Sequence, residues 1–158
     1  MRDQVIVGIA QMAVCRAPRG LACLGLGSCV AVILYDPILR MGGIVHILLP
    51  KAPHNCDSAE KYADTGTKKL VSELIAKGAS KSRLVAKIVG GAQMFPSLSL
   101  AVSDIGRHNT EEARRILKEL GIKLVSEDTS GNRGRSAYLN TENGMVTIET
   151  AFSPTKNI

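Results

Sequence analysis

Leu24-Gly25-Leu26-Gly27-Ser28-Cys29 runs straight into Val30-Ala31-Val32-Ile33-Leu34-Tyr35. Asp36-Pro37 then turns the chain, and Gly43-Ile44-Val45-His46-Ile47-Leu48-Leu49 follows. Both apolar runs are hydrophobic at odd and even positions alike. That predicts strands covered on both faces, not a one-sided surface sheet. A hairpin with Asp36 to Leu39 as a four-residue loop pairs Tyr35 with Arg40 and sets Cys29 directly opposite His46. Opposed residues on antiparallel strands share a face, with Cα atoms about 4.5–5.5 Å apart, so a thiol and an imidazole can meet there. A one-residue slip would send them to opposite faces. Gly25 and Gly27 mark a place where the backbone bends or approaches a ligand closely.

Upstream, Gln4 to Val14 reads as one strand, Pro18-Arg19-Gly20 as a turn and Leu21 to Leu24 as a short strand. Downstream, Lys51 to Asp57 is a polar loop. Asp57 or Ser58 can cap a helix through about Lys77, burying Ala63, Thr67, Leu70, Val71, Leu74 and Ile75, with Gly78 closing it. Arg83 to Val89 reads as a strand ending at Gly90-Gly91. Met94-Phe95-Pro96 opens an irregular loop, and Gln93 to Leu98 reads either as an exposed partner contact or as local core packing.

Asn109 is expected to cap a second helix, with Glu111 and Glu112 in its positive first turn. Ala113, Ile116, Leu117 and Leu120 would form its buried stripe, and Gly121 its stop. A strand at Ile122 to Val125, a loop at Asp128 to Arg135 and a hairpin of Ser136 to Asn140 with Met145 to Thr150 complete the pattern. The tail after Phe152 is expected to fray. The whole, residues 1–158, reads as a single α+β domain of mainly antiparallel strands with two principal helices.

A chain of 158 residues can bury about 70% of its unfolded surface. With 45% hydrophobic but only 3% aromatic residues and no Trp, the core must be aliphatic. No apolar run approaches the roughly 20 residues that span a bilayer, which argues against membrane insertion. Val5 to Cys15 lacks the cleavage site of a secretion signal, so a cytoplasmic location is expected. Four cysteines could form two disulfides in a secreted chain, but without secretion marks or a C-x-x-C pair reduced thiols fit better. The net charge of +6 permits an acidic partner or simply aids solubility. Scattered basic residues and few aromatics argue against nucleic acid.

Two readings of the central pair stay open on these grounds. An imidazole that accepts the Cys29 proton makes the thiol a strong nucleophile. The Ser28 and Cys29 amides could then hold an oxyanion, worth about 2.7–4 kcal/mol per donor in comparable sites. Equally, Cys29 could be a small buried hydrophobe and His46 a satisfied core histidine. His54 and Cys56, with His46 upstream, fit no ordinary zinc spacing, so no metal is expected. His108 reads as solvated. Gly90-Gly91 lacks a phosphate-binding fingerprint and reads as close packing of strand on helix, and no cofactor is expected.

These residues also resemble a family. Leu24 to Val32, Asp36-Pro37 and Gly43 to Pro50 are similar to the CheD family of chemoreceptor glutamine deamidases. The likeness continues through Lys61-Tyr62-Ala63-Asp64, Lys87 to Ala92 with Met94-Phe95, Gly121-Ile122, and Glu127-Asp128-Thr129 to Gly134-Arg135-Ser136. The resemblance implies a layered α/β/β sandwich related to bacterial toxin deamidases. It implies an enzyme that converts particular Gln side chains on chemoreceptor cytoplasmic helices to Glu through a thioester. It places the nucleophile on Cys29 and the general base and acid on His46. The third family residue, usually a threonine, falls on Cys23, whose thiol is a weaker hydrogen-bonding group than a hydroxyl; either Cys23 orients the imidazole poorly, or a backbone carbonyl or water replaces it, or activity is reduced. Ser130 likewise stands where a second glycine is common. Family members also bind the CheC phosphatase, so the alternative implied role is a weakly catalytic or non-catalytic binding module for CheC and receptors, with Met94 and Phe95 on the contact loop.

Overall fold

The computed structural model describes residues 3–95 and 104–158, so Pro96 to Leu98 of the expected contact loop lie outside the described residues. Two five-stranded sheets are stacked face to face. The central one has the order β2 (Met12–Arg16), β5 (Met41–Ile47), β4 (Val30–Asp36), β6 (Val85–Gly90), β7 (Lys123–Thr129). The outer one runs β1 (Gln4–Ile6), β3 (Gly20–Leu26), β8 (Arg135–Leu139), β9 (Val146–Thr150), β10 (Lys156–Asn157). Pairing is antiparallel except for β1 with β3 and β6 with β7. Two helices among the described residues, α1 (Ala63–Ala76) and α2 (Ile105–Leu120), cover the far face of the central sheet. The fold is an α+β sandwich of α/β/β layers.

The doubly apolar runs explain the layering. Every residue of β4 and β5 is buried. Val30, Val32, Leu34, Val45 and Ile47 pack towards Leu70 and Leu74 of α1 and Leu117 of α2. Cys29, Ala31, Ile33 and Ile44 face the outer sheet and its Leu21, Leu26, Leu139 and Ile148. Gly42 and Gly43 let both neighbours come close. A Cβ on Gly42 would stand 2.6 Å from Leu139 of the outer sheet, and one on Gly43 would stand 2.7 Å from Leu70 of α1.

Four expectations are corrected. First, the β4–β5 turn is Pro37 to Arg40, because Asp36 stays in the strand and its Oδ1 accepts the Ile38 and Leu39 N–H groups at 3.0 and 3.2 Å. Arg40 closes the turn at φ +49°. Asp36 therefore pairs with Met41, and His46 lies opposite Ala31, not Cys29. The displacement is two residues, so the face is kept and Cys29 sits diagonal to His46.

Second, Gln4 to Val14 is not one strand. Val7 to Gln11 breaks it, with Ala10 at φ +59°, and its halves join different sheets. Third, both helices start elsewhere than expected. Lys61 O accepts the Leu48 and Leu49 amides, which leaves Tyr62 extended, so a short 3-10 turn at Ala59–Lys61 precedes α1. Ile75 falls off the buried stripe and is exposed. α2 begins at Ile105, which puts Asn109 one turn inside it as a buried residue, not a cap. Fourth, the tail does not fray: β10 pairs with β9, Ile158 and Val146 exchange both main-chain hydrogen bonds, and Lys87 Nζ donates to Ile158 O at 2.6 Å.

Candidate active site

Cys29 is the last residue of the glycine-rich bend before β4, and His46 is the penultimate residue of β5. Both side chains project between the two sheets, and both are largely buried. The sequence foresaw this pairing on one face. It left open whether Cys23, a backbone carbonyl or water orients the imidazole.

That group is a main-chain carbonyl. His46 Nδ1 lies 3.0 Å from Val7 O, in the break between β1 and β2. A carbonyl only accepts, so Nδ1 carries the proton and Nε2 is left with a free lone pair, the form a general base needs. The break is anchored on both sides: Val7 N donates to Ala22 O at 2.8 Å, Ala10 N to His46 O at 2.9 Å, and His46 N to Gln11 O at 3.0 Å. Gly8 within the apolar run is the one sequence signal for this interruption.

Cys23 Sγ donates to the same Val7 carbonyl at 3.5 Å. It thus touches the group that holds the histidine. Burial, and secondarily the neighbouring Cys29, push the Cys23 thiol up to about 12, so it stays protonated and is no rival nucleophile.

Burial also raises the Cys29 thiol, against the opposing pull of its own main-chain N–H. It lowers His46, with the Val7 hydrogen bond opposing. Cys29 therefore rests as a neutral thiol and His46 as a neutral imidazole on the same face, because desolvation disfavours both charged forms.

The bend that carries Cys29 is held by its carbonyls. Gly27 O accepts from Ala92 N at 2.8 Å and Cys29 O from Gly91 N at 2.9 Å. Ser28 O accepts from Asn109 Nδ2 at 3.0 Å, and the same nitrogen donates to Leu48 O at 3.0 Å. Among the described residues, neither the Ser28 nor the Cys29 N–H donates to a main-chain acceptor, and the Cys29 N–H pulls on its own Sγ, so both face the nucleophile side of the bend. Gly90, at φ +114°, makes this docking possible: a Cβ there would stand 2.3 Å from Cys29 O.

Met94 leans on the bend, 3.3 Å from where a Gly27 Cβ would be. Met94 and Phe95 are exposed, Phe95 by 59%, so local core packing does not account for them. Leu24 and Ile9 add exposed apolar surface. His54 and His108 are exposed, and the described residues hold no cluster able to bind a metal ion. A cavity of about 480 Å³ lined by Asp128, Arg133, Arg135 and Lys156 among others includes neither Cys29 nor His46.

Residues 48–150 match the family model described as CheD chemotactic sensory transduction. The chain belongs to the CheD family. That match begins just after His46, but full-length relatives of the family extend across the pair. A Moorella thermoacetica protein named "Probable chemoreceptor glutamine deamidase CheD" is 48% identical over 160 residues, covering 99% of this chain and 96% of that one. The Thermotoga maritima "Chemoreceptor glutamine deamidase CheD" is 46% identical over 143 residues, covering 90% of this chain and 89% of its own. Among solved structures, Neisseria meningitidis protein NMB0706, of family-model DUF152, superposes with a TM-score of 0.54 at 11% identity, over 82% of this chain and 64% of that one. That likeness concerns the fold alone. No helix among the described residues is long and apolar enough to cross a membrane.

Proposed function

We propose that the chain is a protein-glutamine deamidase that converts chemoreceptor Gln side chains to Glu, with Cys29 as nucleophile and His46 as general base and acid. The observation that carries the reading is the single imidazole tautomer fixed by Val7 O on the face shared with Cys29, in a chain of the CheD family.

The chemistry follows from neutral partners. His46 Nε2 takes the Cys29 proton as Sγ attacks the side-chain amide carbon, so the charged pair forms only as the C–S bond forms. The tetrahedral oxyanion lies against the Ser28 and Cys29 N–H groups. Imidazolium returns its proton to the amide nitrogen, the C–N bond breaks, ammonia leaves and a thioester remains. Water then gives a proton to His46 and attacks the thioester carbon. Cys29 departs with that proton, leaving Glu. The net change is amide plus water to acid plus ammonia.

A second reading is favoured by the exposed Met94–Phe95 tip beside the bend: a docking module for a protein partner such as the CheC phosphatase, with little turnover. Incubation of the wild-type chain and Cys29→Ala with a chemoreceptor cytoplasmic fragment, followed by peptide mass spectrometry and a binding assay, separates the two. The deamidase reading expects Gln-to-Glu conversion by wild type only, with partner binding kept by the variant. Unconverted glutamines beside intact binding would leave only the docking module.

A further inference from the structure

The structure assigns Asn109 as a positioning residue that aims the oxyanion-binding amides of the nucleophile bend; this inference rests on the deamidase reading above. Asn109 lies in the second turn of α2, fully buried, on no face that a glutamine substrate can touch. Its Nδ2 donates to Ser28 O and to Leu48 O, both at 3.0 Å. One side chain therefore joins the bend of the nucleophile to the strand end that follows the histidine.

The geometry of the peptide unit gives this bond its consequence. In a trans peptide the C=O and N–H point in opposite directions. Ser28 O and Cys29 N–H belong to one peptide, so the bond that draws the carbonyl towards α2 turns the Cys29 N–H away from it. Ala92 N does the same for the Gly27–Ser28 peptide through Gly27 O, and Gly91 N for the Cys29–Val30 peptide. Three consecutive peptides are thus fixed from behind, and only the middle one is fixed by a side chain. The other end of the Asn109 amide, Oδ1, is buried without a partner among the described residues. The site retains the donor end at the expense of an unsatisfied acceptor, which an apolar residue serving only the fold would avoid.

The test separates oxyanion support from general integrity. Alkylation of Cys29 by iodoacetamide displaces iodide at a saturated carbon and forms no oxyanion, whereas attack on an amide does. In the full chain, Asn109→Ala is expected to lower kcat for receptor-fragment deamidation about 10- to 100-fold, less than outright loss of a donor. KM should stay at its wild-type value, and so should the rate of Cys29 alkylation, followed on its own peptide at a pH where the thiol is fully ionised; the pH profile of alkylation should move only upward, as the Cys29 N–H loses its hold on the thiol. Asn109→Asp, which keeps the shape but removes the amide donors, should show the same split. Equal loss of alkylation and deamidation, undiminished kcat in either variant, or failure of both variants to fold would overturn the proposal. A wild-type chain that leaves receptor glutamines intact would instead count against the deamidase reading itself.

Discussion

That Cys29 and His46 share a face was legible because strand side chains alternate with a period of two. The turn was misplaced and the pairing moved by two residues, yet the shared face survived. Val7 was not legible, since its contribution is a main-chain carbonyl that any residue could supply. The neutral resting pair sets the pH dependence. In the proposed mechanism deamidation requires unprotonated His46, so kcat/KM should rise with pH through a value below the ordinary imidazole range, where burial holds that ring. It should then stay level until the Cys29 thiol ionises above the ordinary thiol range, when the proton needed by the departing ammonia is lost. An ion-pair resting state would instead place the acid limb at an unusually low thiol value. A pH–rate profile, with iodoacetamide alkylation alongside, tells the two apart. For Cys23, the shared Val7 carbonyl suggests a helper that a hydroxyl replaces well. Cys23→Thr should keep or raise the deamidation rate, and a large loss measured in the same assay would mean that the thiol itself is required.

At the scale of elements, the bend depends on neighbours far away in the chain. The apolar periodicity located α1, α2 and the central strands, but not their exact starts. Asn109 looked like a cap because caps are what asparagine before an acidic turn usually signals. Its burial arises from the way Gly106 packs on the Gly91–Ala92 backbone, a contact no local pattern encodes. Gly90 belongs to the same joint. Its left-handed backbone and the 2.3 Å approach of a Cβ to Cys29 O mean that Gly90→Ala should cost about 3 kcal/mol of stability. It should also weaken the Gly91 N–H bond to Cys29 O, and so slow deamidation beyond what reduced folding explains. Urea denaturation with parallel activity at a temperature where the variant is folded checks both. An unchanged midpoint would show that the joint relaxes at no cost.

Across the whole molecule, the layers follow from strands too apolar to leave either face in water. β4 and β5 require covering twice, by helices on one side and by the outer sheet on the other. That requirement was readable in the composition of the strands. The split of the first strand between the two sheets was not, because each half is apolar enough for either. The split nevertheless brings Val7 from the outer layer to the histidine of the central one, so the sandwich itself completes the site. The central claim is that this arrangement performs thiol chemistry on a receptor amide. Peptide mass spectrometry of a chemoreceptor fragment, followed over time with wild type, Cys29→Ala and His46→Ala, tests it most directly. The account predicts specific Gln-to-Glu conversion by wild type and a loss of about 10³-fold or more in each variant. Conversion by Cys29→Ala at the wild-type rate would contradict it.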